Sequence, residues 1–168
     1  MISVNSLVTA RHELPNSIEV ADPDPLREID TLQEAQLLDS RVCQLTSTAA
    51  LLFELRTSLQ FDVGNAALLV VRGLRSFEWR SSTAQVPLMA LTVVSSLPDR
   101  AADSFRERFD LFPDAQLNLA GTQAEFYVLE VDGISDIPPD YSGMTREHIE
   151  RELPSWSSRC SPLQVSSV

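Results

Sequence analysis

Residues 51–80 read LLFELRTSLQFDVGNAALLVVRGLRSFEWR, and this stretch constrains the fold more than any other. Phe53, Leu55, Thr57, Leu59 and Phe61 alternate with Glu54, Arg56, Ser58, Gln60 and Asp62. Side chains on a strand point to opposite faces in turn, so this period of two predicts a half-buried strand over 53–61. Asp62-Val63-Gly64-Asn65 then supplies turn chemistry, with Gly64 or Asn65 suited to positive φ. The return run 66–71 is apolar on both faces, which predicts a strand covered on both sides. Arg72-Gly73 interrupts it. Leu69 and Val71 share a phase with Phe77 and Trp79, and a glycine inside a strand often marks a bulge, so one is expected near Gly73. Together these signals predict a long hairpin at the centre of an antiparallel sheet.

The remaining segments fit around that hairpin. Residues 41–48 predict a first strand with Cys43 and Leu45 on one face and Cys43 as a small core residue. A short strand is expected over 3–9. Thr31 and Glu34 match a capping box that would start one or two helical turns, to about Leu37. In 88–97 the β-branched Thr92, Val93 and Val94 favour a strand, with a short buried helix left open. Phe105, Glu107, Phe109 and Leu111 alternate with Arg106, Arg108, Asp110 and Phe112; this fits a strand, although 101–109 also reads as an amphipathic helix. Residues 116–120 and 124–131 predict a second hairpin around 121–123. Thr145 is placed to cap a helix running to about Leu153, Pro154 stops it, and Trp156 is expected to pack its end onto the sheet. The fold class that results is mainly β, of the α+β kind: an antiparallel sheet folded as a sandwich or open barrel with a C-terminal helix. Strands and helices do not alternate, which argues against a dinucleotide-binding fold. The domain division expected is an irregular arm over 1–30, one β-rich domain over 31–156 and a frayed Ser-rich tail over 157–168.

Charge narrows the partners. The 168 residues carry a net charge of -11, and every one of the 13 basic residues is Arg. A field this negative repels phosphate backbones and anionic lipid, so neither nucleic acid nor membrane is expected as a partner, whereas a basic protein is. No basic segment precedes an apolar run near Met1, and no apolar run approaches the ~20 residues of a membrane span. Two cysteines, Cys43 and Cys160, make no disulfide framework. A cytoplasmic protein with free thiols is the expectation.

Catalytic motifs are missing. The glycines at 64, 73, 121, 133 and 143 form neither GxGxxG nor a P-loop. There is no GxSxG elbow. The two histidines are His12, in the arm, and His148, on a charged helix where a solvated role suffices. No His/Cys cluster has zinc spacing. No catalytic residue, cofactor or metal ligand is predicted. Asp132, Asp136 and Asp140 could hold a hard cation, but each also serves a turn or solvates a loop, and no EF-hand pattern is present. On the central hairpin, Glu54, Arg56 and Gln60 are expected to meet Arg72, Arg75 or Glu78 as cross-strand charge pairs on a solvated face. Trp79 is a binding anchor if exposed and a core residue if it follows Phe77. The candidate binding residues are Arg72, Arg75 and Trp79 at one place, and Asp132, Asp136, Asp140 and Tyr141 at another.

The runs LLFELRTSL, GNAALLVVRGLRSFEWR and AEFYVLEVDGISDIPPDY, within about residues 40–141, resemble small acidic β-rich proteins of uncharacterised bacterial families. They are also similar to immunity proteins of polymorphic toxin systems, which are acidic single domains with a strand–Trp pattern. The resemblance implies a non-catalytic binding protein whose acidic surface, around 130–140, blocks a basic toxin. The alternative is a small-molecule binder or enzyme with a pocket in the sandwich or barrel; it needs converging groups such as Glu54 or Glu78 with Arg72 or Arg75. A structural, self-associating protein is a third reading, and it predicts a dimer.

Overall fold

The structure, a computed structural model, describes residues 2–10, 14–82 and 88–168. His12 and residues 83–87 lie outside the described residues. In chain order the elements are β1 (Ile2–Ser3), α1 (Val4–Thr9), β2 (Glu19–Val20), β3 (Gln36–Cys43), β4 (Thr48–Glu54), β5 (Ala66–Arg72) and β6 (Ser76–Ser81). There follow β7 (Leu91–Ala101), β8 (Ser104–Phe112), β9 (Ala115–Gly121), β10 (Gln123–Val131), α2 (Arg146–Arg151) and β11 (Arg159–Ser167). The strands form one sheet in the order β1-β11-β10-β5-β4-β3-β7-β8-β9-β6, with β2 added beside β11. All pairings are antiparallel except β2 with β11. The fold is therefore mainly β, a folded antiparallel sheet that is not closed into a barrel.

Two sets of strands make two layers. β4, β5 and β10 pair in full register in one, and β7, β8, β9 and β6 pair in the other. They join at a narrow seam, where β3 meets β7 only through Gln36↔Thr92 and Leu37↔Leu91. Between the layers lies the main core, which holds Phe53, Leu69 and Phe126 from the first and Phe105, Phe109 and Leu117 from the second. Phe53, Phe105, Phe109 and Phe126 are fully buried, each contributing ~1.5–3 kcal/mol by leaving water. On the outside of the first layer, Leu52, Leu68, Val70, Tyr127 and Leu129 form a second core, covered by Val4 and Leu7 of α1 and by Trp156. This cover is why β4 and β5 are buried on both faces.

Several elements differ from the expectation, each for a visible reason. The strand expected over 53–61 is β4, which starts at Thr48 and stops at Glu54; Leu55 and Phe61 are buried from a turn, while Leu59 is 72% exposed. Arg56 turns the chain there by donating its own backbone N–H to Glu54 Oε1 (2.8 Å). Cys43 ends β3 and is exposed, not core, because β3 is paired with β7 only at Gln36 and Leu37, so its far end runs along the sheet edge beside β4 alone. No helix starts at Thr31: residues 31–34 are turns, and Glu34 has φ 65°. Residues 4–9 are α1 rather than strand, with Ser3 Oγ accepting from Ser6 N. Both 91–101 and 104–112 are strands, and Thr145 caps α2 as expected.

The second hairpin does not exist as such. β9 pairs with β8 and β6, whereas β10 pairs with β5 and β11, so the chain changes layers at Thr122. β5 and β6 make the same change at Gly73, which is a corner and not a bulge. The two corners touch. A Cβ on Gly121 would lie 2.5 Å from Val71 Cγ1, and one on Gly73, at φ +60°, would lie 2.1 Å from Thr122 Oγ1. Only glycine allows so close an approach. The Ser-rich end is β11, paired with β10 from Glu125↔Ser167 to Val131↔Cys160, and not a frayed tail. The arm also packs: Ala21 and Leu26 are in the main core.

Candidate functional site

The seven candidate residues do not form one site. Arg72, at the end of β5, is a brace. Its Nε and Nη2 both lie 2.9 Å from Glu125 Oε2, and its guanidinium donates to Val8 O (3.0 Å) and Leu7 O (3.2 Å). It holds the C-terminal carbonyls of α1 against the sheet, where positive charge is favoured. Arg75 is exposed beside a depression of about 440 Å³ with Arg106 and Asn118. Trp79 stands on β6 opposite Leu117 and is 44% exposed. Arg72 lines a different cleft, of about 530 Å³, with Arg41 and Cys43. The Cys43 thiol there is held below its ordinary value by hydrogen bonding to Thr46.

Asp132, Asp136, Asp140 and Tyr141 do belong together, on the loop between β10 and α2, and what organises them is a pair of residues expected on open sheet. Glu54 and Arg56 are buried, with side-chain exposures of 0% and 5%. Arg56 Nε donates to Glu54 Oε1 (2.8 Å) and Nη2 to Glu54 Oε2 (2.5 Å). Its Nη1 donates to Ser135 O (2.5 Å) and Ile137 O (3.2 Å), and Nη2 also donates to Glu152 O (2.7 Å). All five guanidinium donors are thus engaged. Removing two charges from water costs several kcal/mol per ion, and only this degree of satisfaction offsets it. The pair ties the loop and the end of α2 to the central strand.

On that frame the loop presents its acids outward. Asp132, Asp136 and Asp140 are exposed, as are Ile137 (76%) and Met144 (41%). Asp140 accepts from Ser142 N (2.9 Å) and Ser142 Oγ (2.7 Å), and these bonds hold its carboxyl below the ordinary range. Ser135 does the same for Glu152. Tyr141 is half-buried, and burial, then the Glu54 charge, raises its phenol, with Arg56 opposing. Its hydroxyl donates to Gln36 Oε1 (3.4 Å). Tyr141 also borders a cleft of about 520 Å³ with Leu38, Met89 and Trp156, rimmed by Arg146 and Glu150. Trp156 is fixed by Nε1 donating to Asp39 Oδ2 (2.6 Å) and by Arg41 stacked 4.6 Å from its ring centre.

The groups that an enzymatic pocket would need lie apart: Glu54 with Arg56, Arg72 with Glu125, and Glu78 beside Arg80 on exposed strand. Among the described residues, no three His, Cys, Asp or Glu gather as metal ligands, and no helix is long and apolar enough to cross a membrane. His148 is exposed. Two features were not anticipated from the sequence: the buried Glu54–Arg56 pair beneath the loop, and Glu107, whose carboxyl is buried on β8 in phase with Phe105 and Phe109 and whose Oε1 lacks a partner.

Comparison with known proteins adds little. No family model matches the chain. No curated protein matches it either. Among solved structures, an uncharacterized protein from Neisseria gonorrhoeae is similar with 10% sequence identity and a TM-score of 0.42, over 56% of this chain and 90% of that one. A likeness this slight carries neither fold nor function across.

Proposed function

We propose that this chain is a non-catalytic, cytoplasmic binding protein whose acidic loop, 132–145, docks on a basic protein partner, as an immunity-type inhibitor would cover a basic toxin. The observation that carries the reading is the five-donor engagement of Arg56, which fixes the carbonyls of Ser135, Ile137 and Glu152 from inside. A loop ordered before binding loses less entropy on docking. Three carboxylates and an exposed Ile137 on a rigid loop supply charge for steering and an apolar contact for the interface centre. The net charge of -11 extends the steering field. Free thiols at Cys43 and Cys160 suit a reducing compartment.

The test is association kinetics with any basic effector domain that is found encoded beside this gene. Binding should weaken steeply with salt. D132N/D136N/D140N should slow association by roughly 10-fold or more, since rim charges act on the on-rate. A basic effector that does not bind, or a triple variant with an unchanged on-rate and salt slope, contradicts the proposal. The cleft beside Tyr141 favours a second reading, a small-molecule binder, because its volume is in the usual range for such sites. A ligand there would change Trp156 fluorescence and be indifferent to the triple variant.

A further inference from the structure

Among the described residues, β6 ends the sheet. The strand pairing it makes there is with β9, from Ser76↔Ala120 to Ser81↔Ala115, without a register shift. Natural edge strands are commonly blunted by proline, charged side chains, a bulge or extreme shortness. β6 is SFEWRS; it has no proline and no bulge, and its two charges, Glu78 and Arg80, are of opposite sign and so can pair with those of a second β6. Its middle is Trp79, 44% exposed, between the exposed Glu78 and Arg80. The loop-docking reading makes no use of these three residues.

The geometry points to β6 as a self-association edge, at which a second copy of this chain adds its own β6 antiparallel and continues the sheet across a two-fold axis. In such a pair the side-chain face and the direction of the free N–H and C=O groups alternate together, so only every second register lets the two edges bond. Three of those registers centre on the middle of β6. One sets Glu78 against Glu78 of the second copy, and another sets Arg80 against Arg80. The remaining one places Trp79 against Trp79 at the axis and sets Glu78 opposite Arg80 twice. Like charges directly opposite are destabilising and unlike charges are favourable, so charge selects the Trp79-centred register. The strand is complementary to itself, as an isologous interface requires.

Charge distribution over the molecule also favours this edge. Residues 73–121 hold five Arg and six acids, or -1 of the net -11. Two copies meeting at β6 approach through their nearly neutral layers, while the remaining -10 of each stays on segments outside this stretch. A six-residue edge buries little area, so the dimer is of the weak, concentration-dependent kind.

Analytical ultracentrifugation between about 5 µM and about 1 mM covers the range in which such small interfaces form. The wild-type mass should rise from 18.6 kDa toward twice that value. E78R and R80E each set like charges opposite each other and should stay at 18.6 kDa, whereas E78R/R80E restores the pairing and the dimer. W79A should weaken association about 10-fold, as removing a central aromatic does. Circular dichroism confirms that every variant is folded. A wild type that stays monomeric throughout, single reversals that still dimerise, or a folded double variant that does not, each overturns the inference.

Discussion

Arg56 shows how one side chain can make a surface loop part of the interior. The sequence places Glu54 and Arg56 two apart, which predicts one strand face, but Arg56 lies in the turn just beyond β4. That the pair is buried was not legible, because its burial depends on the loop 132–145 and the end of α2 folding back from far along the chain. Glu107 is a similar case. It is in phase with Phe105 and Phe109, which are both buried, yet a carboxylate at one position of an alternating strand does not announce that it goes inward. Burial alone pushes its carboxyl well above the ordinary value of 4.5. The folded state then keeps a proton that the unfolded chain has lost, so stability is full below the ordinary glutamate range and falls as pH rises above it. Asp140 and Glu152 act with the opposite sign: their lowered values stabilise at neutral pH and are lost on acidification. Glu107→Gln should match the parent in urea unfolding at about pH 4 and exceed it at about pH 8. Parallel pH profiles for the two proteins would show that Glu107 ionises freely in the fold.

Among the elements, 66–71 was legible as a strand, whereas for 88–97 and 105–112 the local pattern favoured a strand but left a helix open, and both are strands, over Leu91–Ala101 and Ser104–Phe112. What failed were pairings. β9 and β10 look like a hairpin because only Thr122 separates them, and only the close approach permitted by Gly121 and Gly73 reveals a corner. β11 was read as a tail because RCSPLQVSS lacks an apolar stripe; its strand character comes from β10 on one side and from β1 and β2 on the other. Such long-range partners leave no trace in a local period. Residues 3–9 were expected as a short strand; they form α1, which Ser3 caps and whose Val4 and Leu7 are buried. A chain ending at Ser158 tests this assignment. Losing β11 bares the edge of β10 over Glu125–Val131 and removes Cys160 from the second core, so the truncated chain should fail to fold cooperatively on calorimetry. A truncated protein with the parental melting temperature would return 159–168 to the status of a tail.

At the scale of the molecule, the folded sheet separates two surfaces with different charge. The nearly neutral layer carries the edge at β6, and the acidic layer carries the loop 132–145 clamped to β4. The mainly β class and the missing catalytic motifs were readable from composition and period. The acids of the candidate loop 132–145 were readable as a group, and the buried Glu54–Arg56 pair beneath them was not. In the proposed function, this pair organises the loop for docking. Amide hydrogen exchange on E54L/R56M tests it most directly, since replacing both charges with apolar groups avoids an orphaned buried ion and leaves the core intact. The strands should exchange as in the parent while 132–145 exchanges faster by about 10-fold or more, local opening being independent of global unfolding. Loop amides that keep their parental rates in a folded E54L/R56M protein would contradict it.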